Sequence, residues 1–499
     1  EERAEELGVS IKGEFAKLAM SSKAPIKLGE RCTVFMERDV NTMMQRGAKR
    51  EDIIAGLAYS IAYNYINRVV RGRHIGDCIF FQGGTAYNDA VAAAFAAVTG
   101  KQIIVPPHNA VLGAIGAAML AREKVRTSGA STRFRGYDVE AIDYQLREFT
   151  CKGCGNYCSV QEFTVEDEKT FWGDKCSDRY RKRVKSQRKP IIPDLIELRH
   201  ELLAADDTKR TAEHGEKRTT IGIPMAMYTW DLLPLWRRFW QDCGFDVFVS
   251  TQTNRKIVRM GLDSAVAAPC FPIIVAHGHV LDLVERNVDY IWIPNILSAE
   301  TKFKEVESHM CPWGQTLPFV VRQAPAFREW QGRILCPTIR FREGTEQARE
   351  PLVRAAIDLG VKQAVANRAF DAADAALARF RTEYQQAGRE ALDMLDRTGE
   401  PGVVLVGRPY NIHDAGVSLS VGKKLRDHYG VNVIPIDSLP LADISVQDIN
   451  ANMFWEYGRK IIASAKLIAD RPNLHIIYIT NFKCGPDSFI KGFIRPASG

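Results

Sequence analysis

The sequence has no apolar run long enough to cross a bilayer. Its longest strongly apolar stretch, VLGAIGAAMLA (111–121), falls well short of the roughly 20 residues a spanning helix needs. It also lacks a signal-like opening, since EERAEELGVS carries charge where an apolar core would stand. The expected compartment is therefore the cytoplasm, where lasting disulfides are rare and clustered cysteines bind metal or do redox work. Eleven cysteines, an odd count, do not make a fully paired framework. Charge of one sign is scarce as well: the net value of +7 is modest for 499 residues. The one strongly basic run, RYRKRVKSQRKP (179–190), has no nucleic-acid-reading motif to support it and reads as a solvated segment. Neither nucleic acid nor a membrane is expected as a partner. No internal repeat of fixed period is present.

With 46% hydrophobic and 25% charged residues, the composition is that of a soluble globular protein, and the length allows about three domains. Helical and strand patterns alternate up to about residue 125. RCTVFMERDVNTMMQRG starts like a buried strand and runs into a helix. REDIIAGLAYSIAYNYINRVV (50–70) has helical apolar spacing and an acidic first turn, and DCIFFQGGTAYNDAVAAAFAAVTG reads as strand, Gly-Gly turn and helix. KQIIVPP is a further strand and GAIGAAMLA a closing helix. Residues 126–217 are polar, cysteine-bearing and then strongly charged, the pattern of a small metal module followed by a linker. From 218, strands and helices alternate again through TTIGIPMAMY, DLLPLWRRFWQDCG, FDVFVS and VDYIWIPN. A long helical block at 351–396 precedes PGVVLVGRPYN, VNVIPID and LHIIYITNF. Strand cores flanked by helices imply an α/β fold with parallel sheets covered on both faces.

Three groups of residues carry chemistry. In FFQGGTAYNDAV (80–91), Gly83 and Gly84 follow a strand and Asn88 precedes a helix. Backbone without Cβ can approach a nucleoside or phosphate, and a helix N-terminus offers free N–H donors, although the same turn also serves plain topology. CKGCGNYC sets Cys151, Cys154 and Cys158 at C-x2-C-x3-C spacing, and Cys176 follows. Four thiolates from a polar, glycine-bearing loop surround either a tetrahedral Zn²⁺ or an iron–sulfur cluster, and spacing does not separate the two. Cys270, Cys311, Cys336 and Cys484 stand beside proline or glycine in AAPCFP, HMCPWGQT, RILCPTIR and TNFKCGPDSF. Parallel sheets bind ligands in loops beyond the carboxyl ends of their strands, and a buried cysteine is equally a small hydrophobe. Cys243, in WRRFWQDCG, reads as core packing. His277 and His279 point to different faces of one helix and cannot easily grip one ion; hydrogen bonding near a cluster is their expected role. RPYN (408–411) and PDSF (486–489) end strands and are further contact candidates.

RCTVFMERDV, REDIIAGLAYSIA, FQGGTAYNDAV and GAIGAAMLA, in this order, resemble the C-terminal half of the activator ATPases of 2-hydroxyacyl-CoA dehydratases and benzoyl-CoA reductases. These are the BadF/BadG/BcrA/BcrD type, within the actin, Hsc70 and sugar-kinase superfamily. IGIPMAMYTWDLLPLWRRFWQDCGFDVFVS, PCFPIIVAHGHV, CPWGQTLPFVV, VGRPYNIHDAGV, VIPIDSLP and YITNFKCGPDSFIKGF are similar to the dehydratase-subunit-like domain fused downstream of such modules in the large CoA-enzyme activases. The resemblance implies a homodimer sharing one [4Fe-4S] cluster, with Cys32 as a ligand. It also implies ATP with Mg at Gly83, Gly84 and Asn88, its hydrolysis coupled to passing a low-potential electron. Cys270, Cys311 and Cys484 are implied as cluster ligands, with Cys336 less secure. An acyl-CoA dehydratase or reductase partner and a ferredoxin or flavodoxin donor follow from the same likeness. Cys78 is either a second ligand in the first lobe or a buried structural thiol.

The implied architecture is the C-terminal lobe of an actin-like ATPase at 1–125, a Cys-rich metal module with a basic linker at 126–190, and a charged linker at 191–217. Two flavodoxin-like parallel α/β halves follow at 218–345 and 346–499, the last expected to be truncated. The Asp-Gly-Ser type phosphate hairpin of the ATPase's N-terminal lobe has no counterpart before Cys32, so the chain reads as a fragment expected to bind ATP poorly by itself. The expected function is ATP-dependent iron–sulfur electron transfer that activates, or serves, a dehydratase-like reductive site. A self-contained dehydratase or reductase and a zinc-stabilised non-catalytic scaffold are the alternatives.

Overall fold

The computed structural model describes residues 2–11, 13–30, 33–129, 131–132, 134, 136–138, 143–152, 157–165, 168–174, 188–205, 218–267 and 269–498. They fall into two compact units, Glu1–Ala141 and Ile142–Gly499.

The first unit contains α1 (Glu2–Glu6), α2 (Glu14–Ser21), α3 (Thr33–Gln45), α4 (Arg50–Tyr65), β1 (Cys78–Phe80), α5 (Asp89–Thr99), β2 (Gln102–Ile104) and α6 (Leu112–Ser128). Its core gathers Ile53, Ile54, Leu57 and Ala58 of α4 with Phe15 of α2, Val40 of α3 and Val91 of α5. β1 and β2 pair in parallel, with Cys78 opposite Gln102. The strand expected at RCTVF is not present from Thr33 onward. There α3 has already begun, because Met36 and Val40, one turn apart, are buried together. Arg31 and Cys32 lie outside the described residues.

The second unit opens with β3 (Tyr144–Thr150), β4 (Ser159–Val165) and β5 (Glu168–Trp172), an antiparallel meander in the order β3-β4-β5. Within the expected charged linker, α7 (Leu195–Ala205) is a packed helix that buries Leu195, Arg199 and Leu203, four residues apart on one face. Residues 206–217 lie outside the described residues.

The first parallel layer comprises β6 (Thr220–Ile223), α8 (Thr229–Asp242), β7 (Asp246–Val249), α9 (Arg255–Ser264), α10 (Phe271–Glu285), β8 (Tyr290–Trp292), β9 (Asn295–Ser298), α11 (Pro312–Gln323), β10 (Ile334–Leu335), β11 (Thr338–Arg340) and α12 (Thr345–Asp358). Its sheet order is β10-β8-β6-β7. β9 and β11 carry β8 and β10 onward as a parallel pair after Pro294 and Pro337, which have no N–H to give the ladder. The long α13 (Gln363–Thr398) places Phe370 and Leu377 in the first core, and Leu392 and Leu395 in the second. The second layer has β12 (Gly402–Gly407), α14 (Pro409–Ile412), α15 (Val421–Tyr429), β13 (Asn432–Pro435), α16 (Glu456–Ile468), β14 (Leu474–Ile479) and α17 (Gly485–Ala497), with parallel order β13-β12-β14.

The first core is built on Trp236, Trp240 and Trp292, whose rings meet edge to face at 5.6 and 5.1 Å. Against it α9 and α10 cross at backbone contact. A Cβ at Gly278 would stand 1.9 Å from the Ile257 carbonyl oxygen, and one at Gly261 2.1 Å from that of Ile274. Among the described residues no helix is long and apolar enough to cross a membrane.

Candidate functional site

Three helices of the second unit begin on a cysteine: Cys270 caps α10, Cys311 caps α11 and Cys484 caps α17. Proline follows each within two residues, at Pro272, Pro312 and Pro486. Its fixed φ suits a helix start, and the N–H it lacks would have been unpaired there anyway. A cysteine in this position stands at the positive end of its helix, beside free N–H groups.

Each of the three is electrostatically coupled to Arg408, which follows β12 and is 2% exposed. Its Nε and Nη2 donate to Asp487 Oδ1 at 3.1 and 2.8 Å. Asp487 sits in the first turn of α17, and its other oxygen accepts from Thr480 Oγ1 at 2.7 Å. Arg408 also lies over the Tyr457 ring, 5.6 Å from its centroid. Tyr457 stacks on Tyr228 at 6.3 Å and meets Tyr410 edge-on at 6.4 Å. The Tyr228 hydroxyl donates to the Cys311 carbonyl at 3.2 Å. That approach requires glycine at 314, where a Cβ would stand 2.1 Å from the hydroxyl oxygen.

One buried cation is coupled to all three cysteines. Burial pushes the Cys270 thiol up, with Cys311 adding to it and a backbone hydrogen bond from Ile273 and the charge of Arg408 opposing. Burial pushes Cys484 up to about 12, again against Arg408. Burial works against the charge of Arg408 too, yet Tyr410, Asp487, Cys311 and Cys484 hold it well above its usual range. Metal binding here must release thiol protons, since the thiolate is the ligand. Among the described residues no three His, Cys, Asp or Glu side chains gather closely enough to hold a single ion. Three thiols at helix N-termini beside a buried cation make a lining that donates thiolates and favours an anion.

The remaining second-unit candidates separate from this group. Cys336, in the break between β10 and β11, accepts from Arg322 Nη1 at 3.2 Å. Cys243 ends α8 half-buried against the first core, where burial pushes its thiol up to about 12. His277 Nδ1 bonds the Ile273 carbonyl of its own helix at 2.8 Å. His279 lies between Ser250 and Thr253, each at 2.8 Å, and Thr253 donates onward to Asp414 at 2.5 Å. His279 thus belongs to a second constellation rather than to the cysteines.

Ser250, Thr253, His413 and Asp414, with Trp230, line a cleft of about 450 Å³. His413 Nε2 lies 2.8 Å from Asp437, which also accepts from Arg199 Nε at 2.6 Å. Burial drives His279 down to about 4 against Asp282; burial and Arg199 drive His413 down to about 4 against Asp437. Burial raises Asp414 to about 6. It would raise Asp437 as well, but the pull of His413 and Arg199 outweighs it and keeps that carboxyl below its usual range.

Cys151 and Cys158 flank the tip of the β3–β4 hairpin, where Cys151 N donates to Cys158 O at 2.8 Å, one step beyond the Thr150–Ser159 pair. Cys154 and Cys176 lie outside the described residues, as does Cys32.

In the first unit Gly83 has φ +95°, Gly84 starts a tight turn to Tyr87, and Asn88 caps α5 by accepting from Ala90 N at 3.1 Å. Asn109, which no motif marked, clamps this turn: Gly83 N donates to its carbonyl at 2.8 Å, and its Nδ2 donates to the Gly83 carbonyl at 3.0 Å. Gly84, Thr85 and Asn88 line a groove of about 1160 Å³ with Asn64 and Tyr65. Cys78 is exposed rather than buried, because β1 is half of an uncovered two-stranded pair.

Sequence patterns mark RPYN and PDSF as strand ends and as contact candidates, without pairing them. The Arg408–Asp487 pair that joins them, and Tyr228, Tyr410 and Tyr457 around it, carry no spacing signal.

Residues 220–439 match the CoA enzyme activase uncharacterised domain, and residues 3–121 match the BadF/BadG/BcrA/BcrD ATPase family. Over 115 residues, 23% of this chain and 43% of the relative, the sequence is 31% identical to the 2-hydroxyisocaproyl-CoA dehydratase activator of Clostridioides difficile. Over 111 residues, 22% and 42%, it is 32% identical to the (R)-2-hydroxyglutaryl-CoA dehydratase activating ATPase of Acidaminococcus fermentans. A solved activator of the 2-hydroxyisocaproyl-CoA dehydratase from Clostridium difficile matches at 28% identity and a TM-score of 0.24, covering 27% of this chain and 49% of that one. The chain spans less than half the length of the curated relatives it matches. The two matched segments, in this order, are consistent with the CoA-enzyme activase family.

Proposed function

We propose that the chain handles electrons in an ATP-dependent activase, with Cys270, Cys311 and Cys484 holding an iron–sulfur cluster. The observation that carries this reading is that three cysteines, each capping a helix N-terminus, are coupled to one buried cation, Arg408. A cluster bound there supplies reversible one-electron chemistry. The chain's own part is electrostatic: helix N-termini and Arg408 present positive charge to an anion, and burial at Cys270 and Cys311 keeps water away. The first parallel sheet, with strands in the order second, first, third, fourth, fits a flavodoxin-like half.

The match to an ATPase family supports a nucleotide at Gly83, Gly84 and Asn88, with its Mg, in the first unit. In this reading Cys32 serves a second cluster shared in a homodimer, and Cys151, Cys154, Cys158 and Cys176 hold zinc or iron. The names of the relatives support a 2-hydroxyacyl-CoA dehydratase-like protein as the electron acceptor, with a ferredoxin or flavodoxin as donor.

The test is oxygen-free preparation of the full chain with iron, acid-labile sulfide and zinc measured per chain, beside Cys484→Ser and Cys151→Ser variants. Iron and sulfide in the parent, sharply reduced in Cys484→Ser, support the proposal. A colourless parent with one zinc and no sulfide overturns it in favour of a scaffold. All three cysteines belong to the second unit, which favours as a second reading a self-contained reductase; substrate turnover by this chain alone would establish that.

A further inference from the structure

The Arg408–Asp487 pair is a fully buried ion pair coupled to the cysteines, and nothing in the family match assigns it a role. Arg408 is 2% and Asp487 1% exposed. A buried pair of this kind adds little to stability compared with well-packed apolar residues, so its retention calls for another reason. Its placement offers one. Arg408 directly follows β12 of the second sheet, while Asp487 stands three residues beyond Cys484 on the helix that cysteine caps. The bonds from Nε and Nη2 to Asp487 therefore tie the Cys484 helix end to the sheet. On its other side Arg408 is linked to Cys311 through the rings of Tyr457 and Tyr228.

We infer that Arg408 is a positioning residue and counter-charge for the three-cysteine site. Together with Asp487 it sets how readily an electron-carrying centre there is reduced. The inference rests on the proposed reading that Cys270, Cys311 and Cys484 hold a cluster. Reduction adds one negative charge to a centre already made anionic by thiolates. A fixed cation at the site stabilises the reduced form, and a fixed anion beside Cys484 destabilises it. The low dielectric of a buried site makes both effects larger than they would be at a surface.

Arg408 and Asp487 must then act with opposite signs, although both belong to one ion pair. Arg408→Met should make reduction harder by at least tenfold in the ratio of reduced to oxidised centre at fixed potential, equivalent to ~59 mV for one electron. Asp487→Asn, nearly the same shape without the charge, should make reduction easier. Arg408→Lys keeps the charge without the two-pronged geometry and should stay within tenfold of the parent. A purely structural pair predicts instead that Arg408→Met and Asp487→Asn fail alike, because each breaks the same bonds.

The experiment is a spectroscopically monitored redox titration of the full chain, prepared without oxygen, with iron per chain and thermal unfolding measured on the same samples. Opposite shifts in Arg408→Met and Asp487→Asn, with iron retained, support the inference. Shifts of the same sign, or none, in variants that retain iron overturn it and leave the cluster reading intact. If Arg408→Met does not fold, Asp487→Asn decides alone: an unchanged or lowered potential overturns the inference. A parent chain without iron overturns the underlying reading, and this one with it.

Discussion

Replacing Gly278 by alanine tests the backbone contact that seats α10, and with it Cys270. The new Cβ would stand 1.9 Å from the Ile257 carbonyl oxygen and 3.0 Å from the Gly261 amide nitrogen. Non-bonded carbons settle at roughly 3.5–4.0 Å, so the helices have to part by more than an ångström. Overpacking typically costs about 1–3 kcal/mol, and alanine returns about 1 kcal/mol in helix propensity. The obstacle is backbone on both sides and cannot rotate away, which places the cost near the top of its range and the net loss at ~2 kcal/mol. At about 2–4 °C per kcal/mol, the melting temperature should fall by roughly 5 °C. Gly492, in α17, is the control: nothing lies within 4 Å of a Cβ there, so Gly492→Ala should gain up to ~1 kcal/mol. Urea unfolding followed by circular dichroism measures both. If Gly278→Ala is neutral or stabilising like Gly492→Ala, the close crossing is wrong, and with it the account of how Cys270 is held.

Four further outcomes are expected. His279 and His413 are held neutral, down to about 4 from an ordinary 6.5, so the unfolded chain takes up protons first. Stability present above pH 6.5 should decline towards pH 4 by on the order of 2–3 kcal/mol per histidine, and urea midpoints across that window should follow it. Asp414 runs the other way. Its carboxyl is raised to about 6, so stability is lost as pH rises through that value, and Asp414→Asn should recover about 1–3 kcal/mol at neutral pH and nothing near pH 4. Arg199→Met leaves the half-buried Asp437 without its Nε partner and should cost about 2–3 kcal/mol; a loss under 1 kcal/mol in urea would contradict a charge-dependent role. Asn88→Ala removes the cap of α5 and should destabilise the first unit by ~1 kcal/mol, seen in its own unfolding transition.

Local chemistry made much of this legible in one dimension. Gly83 and Asn88 stand where a strand-to-helix turn needs a left-handed residue and a cap, and those demands act within a few residues. Proline or glycine beside Cys270, Cys311, Cys336 and Cys484 marks those four together, and the helix starts at three of them set Cys336 apart. RCTVF misled because β-branched residues favour strands, while the burial of Met36 and Val40 on one face decides for a helix. The helical α7 was hidden because its buried Arg199 reads as a linker charge until Asp437, far along the chain, neutralises it.

The sequence by itself determined the alternation of strands and helices from residue 218, the parallel α/β class there and the positions of the thiols, because each depends on short-range propensity and periodicity. Only the tertiary structure decided that Arg408 and Asp487, 79 residues apart, form the buried pair among those thiols, and that His279 turns instead to Thr253 and Asp414. A charge can be buried only where an opposite charge meets it, and in a folded chain that meeting is set by how the sheets and helices pack.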